Sequence, residues 1–352
     1  MNISTRLEQL INIFSIPLRD NWENWTSPEG YTLYKYWKVL GLLNAQQYQQ
    51  LFEECQLQSN AVMRRYFEGL DSHFKPAYYK GEAVADVGSG FGFITMWLLL
   101  SGAEKVYSIG DPDRIGFIQQ LYEQAVAEGL LPAGKLSLKP AFIKVGDQTL
   151  FEEIPPASLS LVLLNDTLEH ITPRIFPSLV AASYHDLRPS GRFISRQQNT
   201  DSPKMLKRLQ QVWESSEQQE FIPQRVRIIQ NKLPNISQET TLTLAQKTRG
   251  LDQLDFYAAL EQFDQEGTYP SHNLNVAPID VEIDVPHEGD TGIPRICNTF
   301  KKQGFSKVKV YPDWSSSRKL AWLQGLSKGF PQPFMNWHWA HSLPAIGEHP
   351  II

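Results

Sequence analysis

The sequence predicts an α/β fold built on a strand, a glycine turn and a helix. Three observations carry that prediction. The run Val84-Ala85-Asp86-Val87 leads into Gly88-Ser89-Gly90-Phe91-Gly92, three glycines at alternate positions. Phe93 to Leu100 is then apolar enough for a core helix and is cut off by Ser101-Gly102. Short apolar runs and helical stretches alternate from residue 84 to 196, the signature of a sheet crossed by helices. In such a unit glycines let a ligand approach the backbone, and the amides opening the helix attract a carboxylate or phosphate.

Composition narrows the partners. With 352 residues, 41% hydrophobic and 20% charged, the chain can bury a sizeable core. A net charge of −5 argues against nonspecific nucleic-acid binding, which draws on Lys and Arg against phosphates. Cys55 and Cys297 are the only cysteines and show no C-x-x-C spacing, so neither a disulfide framework nor a zinc site is predicted, and a reducing cytoplasm fits. The N-terminus carries Glu8 and no long apolar run, so no signal peptide is expected, and no stretch reaches the length of a membrane span. Aromatic residues cluster before residue 80 and after residue 310.

A dinucleotide fold calls for Gly-x-Gly-x-x-Gly, whereas here the third glycine comes two residues after Gly90, so the spacing disfavours NAD. An acid two positions before Gly-x-Gly-x-Gly instead resembles the first motif of class I S-adenosylmethionine-dependent methyltransferases. The pattern suits a zwitterion: an ammonium is drawn to Asp86 or carbonyls, and a carboxylate to amide donors around Gly88, Ser89, Gly90 and Gly92.

Taken in order, residues 1–80 read as a helical N-terminal cap, with an apolar-periodic stretch from Leu7 to Phe14, a break near Pro17 and a further helical pattern from Ala45 to Cys55. Between them the aromatic stretch Trp22 to Trp37 reads mainly as packing. Lys105 to Ile109 is the second strand, followed by a helix from Arg114 to Glu128. The resemblance implies an acid at that strand's end to hold the ribose hydroxyls. The position is Gly110, a departure from the family, which leaves Asp111 as the substitute and Asp113 as second choice; both also suit the start of a helix. Pro140 to Gln148 reads as a third strand, and the resemblance implies that Asp147, beside Gln148, meets the adenine amino group.

Leu159 to Leu164 is the fourth strand, and Asn165-Asp166-Thr167-Leu168-Glu169-His170 after it resembles a segment common in small-molecule methyltransferases. Its end faces the transferable methyl in that family, so Asn165 and Asp166 are expected nearest the acceptor. His170, four residues on, can share a helical face with Asp166 and has a side chain suited to general base work. Leu179 to Leu187 is helical, and Arg188-Pro189-Ser190-Gly191 resembles the family's Lys-Pro-Gly-Gly turn before a fifth strand, with Ser190 in place of one glycine.

From 197 to about 290 the family pattern is lost. Helices are expected from Lys204 to Glu217 and Leu251 to Phe263, with breaks at Pro223 and Pro234. Ile279 to Val285 alternates strictly and predicts a strand with three acids on one face, either solvated or facing a cation. A helix over 293–303, a sixth strand near Gly304 to Pro312 and a seventh within Pro333 to His341 complete the pattern. His338 and His341 lack helical i, i+4 spacing and an adjacent carboxylate, so no metal site is predicted.

The resemblance therefore implies a Rossmann-like methyltransferase fold: a seven-stranded, mostly parallel sheet with helices on both faces, its late strand antiparallel. The expected parts are the cap at 1–80, a cofactor-binding core at 81–196, an inserted lid or acceptor segment at 197–290 and completion of the sheet at 291–352. It also implies S-adenosylmethionine as cofactor and direct displacement of its methyl group by an O or N atom of a small, partly apolar acceptor. Asp166 or His170 would take a proton where the acceptor needs it. The alternatives are a peptide or protein acceptor, a silent relative acting as a binding protein, and other chemistry on the same cofactor. Neither nucleic acid nor membrane is an expected partner, and a homodimer through the cap is an open alternative.

Overall fold

The structure, a computed structural model, describes residues 3–19, 78–110, 112–140, 151–165, 167–270, 276–282, 284–287, 289, 291–312 and 335–341. The first strand β1 (Ala83–Val87) lies centrally, between β2 (Lys105–Gly110) and β4 (Leu159–Asn165). With β3 (Leu136–Pro140), β5 (Leu187–Gln198), β8 (Ser306–Pro312) and β9 (Met335–His341), they form one seven-stranded sheet in the order β3-β2-β1-β4-β5-β9-β8. Five strands, β3 to β5 in that order, pair in parallel; β9 pairs antiparallel with both β5 and β8. The reversal of strand order on either side of β1 is the doubly wound arrangement, in which ligands bind beyond the carboxyl ends of the strands.

The period of two along each strand divides the core. Val84, Leu161, Leu163 and Ile194 enter one face, packed under α1 (Ile3–Arg19), α2 (Phe93–Leu100) and α3 (Pro112–Ala127). Ala85, Val87, Val162, Leu164 and Phe193 enter the other, under α4 (Phe176–Asp186) and α9 (Ile293–Lys302). Leu7, Leu10 and Phe14 share one stripe of α1, which carries Phe14 onto Phe93 with ring centroids 4.0 Å apart. The helix continues through Pro17 to Arg19, the last described residue of this stretch, so Pro17 itself does not break it.

The turn into β5 explains Ser190. The β4–β5 register jumps from Leu159↔Leu187 to Leu161↔Arg192, leaving Arg188 to Gly191 looped out, with Ser190 in a left-handed conformation at φ 65°. A side chain at Gly191 would stand 2.8 Å from the Arg188 carbonyl, and Arg188 anchors the turn with two bonds to Glu82 at 2.8 and 2.9 Å.

Three expectations need correcting. The third strand begins at Leu136, four residues earlier than expected, because the alternation of Leu136 and Leu138 with Ser137 and Lys139 suits a sheet edge; Gly110 pairs with Pro140. Residues 141–150 lie outside the described residues. Pro223 does not break its helix. Between α5 (Pro203–Ser216) and α6 (Ile222–Lys232) a π turn, Glu217–Phe221, widens the helix where a proline lacking N–H would otherwise cost a bond. Finally, 279–285 is a hairpin rather than one strand: β6 (Ile279–Asp280) pairs antiparallel with β7 (Val285–Pro286). Asp284 has φ 56°, and the Glu282 amide bonds back to Asp280 Oδ1 at 2.9 Å, a local turn that outcompetes extension. Its acids are used internally. Glu282 pairs with Arg227 at 2.7 Å, Gln224 reaches Asp280 at 2.8 Å, and Asp284 accepts the Gln253 amide at 2.9 Å.

Two further helices, α7 (Gln238–Lys247) and α8 (Gln253–Glu266), are capped by Ser237 and Asp252, whose side chains accept from Thr240 and Asp255 amides. With α6 they enclose a small core of Ile229, Leu244, Phe256 and Leu260, separate from the two faces of the sheet.

Candidate cofactor and acceptor site

The glycine loop joins the carboxyl end of β1 to α2. Gly88, Gly90 and Gly92 all have positive φ, 73°, 54° and 83°, so a chain of L side chains could not follow this path without strain. Their surroundings differ. A Cβ on Gly88 would run into the Thr167 side chain, and one on Gly92 would meet Ile118 at 2.9 Å, whereas one on Gly90 would meet nothing within 4 Å among the described residues. Two glycines are thus needed for packing, and the middle one keeps a space open at the strand end.

The loop is tied down on both sides. Amides of Gly88 and Ser89 donate to the Ile109 carbonyl at 2.8 and 3.1 Å, which holds the loop to β2. Thr167 follows β4 and lies against the Val87 and Gly88 carbonyls at 3.4 and 3.5 Å, with a closer bond to the Asn165 carbonyl at 3.0 Å. Sequence reading missed Thr167; a β-branched hydroxyl residue two places past an apolar strand was its only signal.

Asp86 faces inward. Its residue is 1% exposed, and its carboxylate accepts from the Thr95 hydroxyl at 2.7 Å and from the Thr95 amide in the first turn of α2. Burial raises its pKa to about 6, and those two bonds only partly offset the shift. The Thr95 hydroxyl also lies 3.1 Å from that of Ser108, so strand β2, strand β1 and helix α2 meet at one buried polar cluster.

Gly110, where the resemblance implies an acid, is accounted for by its neighbour. Any Cβ there would stand 3.0 Å from Ser89 Oγ. That hydroxyl is buried and has no hydrogen-bond partner among the described residues. Beside it, Arg114 lies over the Phe91 ring at 5.1 Å, which places a cation at the loop that sequence reading did not single out.

At the end of β4, Asn165 is half-buried. The segment beyond it forms a three-residue 3-10 turn, Leu168–His170, while Asp166, its expected partner, lies outside the described residues. His170 is exposed, with Nδ1 3.4 Å from the Pro286 carbonyl, and the Gly289 amide donates to the Glu169 carbonyl at 2.6 Å. The β6–β7 hairpin of the insert therefore leans on the turn that follows β4. Asp166, Asp111, Asp147 and Gln148 lie outside the described residues, and Asp113 is described only as part of α3.

Among the described residues no three His, Cys, Asp or Glu side chains gather as a metal site, and no helix is long and apolar enough to cross a membrane. No protein-family model matches the chain, and no curated protein sequence does. Solved structures are similar to it. One from Mesorhizobium loti shows 15% identity over 79% of this chain and 97% of its own, with a TM-score of 0.42. One from Listeria monocytogenes shows 16% identity over 80% and 99%, with a TM-score of 0.42. One from Archaeoglobus fulgidus shows 13% identity over 79% and 94%, with a TM-score of 0.41. The Mesorhizobium loti and Archaeoglobus fulgidus proteins are S-adenosylmethionine-dependent methyltransferases. Likeness at that level carries no argument about chemistry, and the α/β, mostly parallel fold stands on the strand pairing itself.

Proposed function

We propose that the chain is an S-adenosylmethionine-dependent methyltransferase acting on an oxygen or nitrogen of a small, partly apolar metabolite. The observation that carries this reading is Gly90: a left-handed glycine with open space in front of it, at the carboxyl end of the central strand and ahead of a helix N-terminus. The residues fit the cofactor. The Gly88, Ser89 and Gly92 amides are taken up within the protein, so the Gly90 amide is the one we assign to the ligand's carboxylate, and the Ser89 hydroxyl, buried and unpartnered among the described residues, offers a bond to a ligand hydroxyl. Asp86 acts through the loop, holding β1 to α2, rather than by direct contact. Asp111, or Asp113 as second choice, is assigned to the ribose; Asp147 and Gln148 to the base; and Asn165 to the methyl-bearing end.

Bound there, the cofactor supplies an electrophilic methyl group. The chain's residues align the acceptor beside it and exclude water, and we read the insert as the lid for this, a reading supported by its contacts with the turn after β4. A hydroxyl acceptor passes its proton to Asp166 or His170; a free amine needs only desolvation. Replacing either residue by Ala is expected to spare cofactor binding and lower turnover with hydroxyl acceptors by roughly 10²–10⁴-fold.

Calorimetric titration with S-adenosylmethionine and S-adenosylhomocysteine, with NAD as control, tests the reading. Micromolar binding of the first two alone supports it. Failure of both to bind, or preference for NAD, removes it.

A further inference from the structure

A groove of about 580 Å³ runs along the outer face of α4. Its walls follow from the sequence. Ser178, Ala181 and Ala182 fall at i, i+3 and i+4, so this face of the helix carries no bulk, while Phe151 and Ile154, 3% and 4% exposed, make an apolar floor. The groove ends at Asp186, the last residue of α4, with Glu152 also lining it and neither Lys nor Arg among the described lining residues.

Asp186 is placed against ordinary electrostatics. A carboxylate at a helix C-terminus sits at the negative end of the dipole, and this residue is only 3% exposed. Burial raises its pKa. Its partner is His185, whose Nδ1 lies 2.8 Å away on a side chain that is 68% exposed. Negative potential from the helix end, Asp186 and Glu152 thus meets an apolar trough in which His185 is the one basic side chain among the described lining residues.

The groove is separate from the glycine loop. Asp186 directly precedes β5, Pro156 lies just ahead of β4, and Gln303 lies just ahead of β8, so it opens at the amino edge of the strands. The glycine loop follows the carboxyl end of β1, at the opposite edge.

We propose that this groove is a second binding site, for an organic ammonium ion whose apolar body lies on Phe151 and Ile154 and whose charged head meets Asp186. The apolar floor favours such a ligand over a bare metal ion, which would require several oxygen donors around it.

The test is titration of the full chain with n-hexylammonium, with 1-hexanol and hexanoate as controls of equal length. Saturable 1:1 binding of the ammonium is expected, at least tenfold tighter than the alcohol, with none for hexanoate. Asp186→Asn should weaken it at least tenfold. Ala181→Trp, which fills the groove from a half-buried position, should abolish it with an unchanged circular dichroism spectrum; this second variant decides alone if the first fails to fold. Absence of ammonium binding to the natural chain, equal binding of the alcohol, or binding that survives Ala181→Trp overturns the proposal.

Discussion

Gly88 and Gly90 share a left-handed backbone, yet substitution at each should fail in a different way. Gly88→Val drives a side chain into Thr167, so it should lower the melting temperature and lose ligand binding together. Gly90→Val meets open space and carries mainly the conformational strain of about 1–2 kcal/mol. It should therefore remain folded by circular dichroism while losing S-adenosylhomocysteine affinity by tenfold or more in calorimetry. Asp86 makes a prediction in pH. Its folded pKa, about 6, stands above the ordinary carboxylate value, so the folded state favours the neutral carboxyl. The associated stability is fully present below the unfolded pKa and is lost as pH rises through about 6, a change of about 3 kcal/mol. Urea melts at pH 4 and pH 7.5 should show this loss, and Asp86→Asn should flatten it. The glycines were legible because their spacing is local. Thr167 was not, because its role exists only once β4 lies beside β1, some 80 residues away in the chain.

Among the elements, the helix running through Pro223 carries a buried charge pair. Arg225, fully buried, bonds to Glu217 in the π turn and to the Ala245 carbonyl at 2.8 Å, and burial raises the acid's pKa and lowers the base's. Removing one partner leaves the other charge buried alone, so Glu217→Leu or Arg225→Met should each cost about 3–5 kcal/mol in denaturant melts. The double replacement should cost less than either, and a double cost equal to the sum of the singles would refute the coupling. The wide turn was invisible in sequence because a proline signals a break, not how the chain absorbs it. Residues 279–285 misled for a related reason: alternation describes a strand and a tight hairpin equally, and only the Asp280 and Asp284 turn geometry separates them. At β3 the more apolar stretch Ala141 to Val145 drew the expected start past Leu136, where a sheet edge needs less hydrophobicity.

The whole molecule closes on a strand from its far end. Parallel order from β3 to β5 was readable because each strand is a compact apolar run, whereas the resemblance implied only that the last strand runs antiparallel, and its place between β5 and β8 was not legible. A chain ending at residue 334 lacks that strand. It should leave the β5 edge bare and elute from size exclusion as aggregate or as an expanded species, and a compact monomer would contradict this.

That placement sets a schedule during synthesis. β5 ends at residue 198 and its partner begins at 335, so at ribosomal speeds the open edge waits on the order of 10 s for its neighbour to be made. Throughout that interval the nascent chain offers the edge of β5 to any extended segment that passes, a hazard set by the order of synthesis and not by the stability of the finished fold.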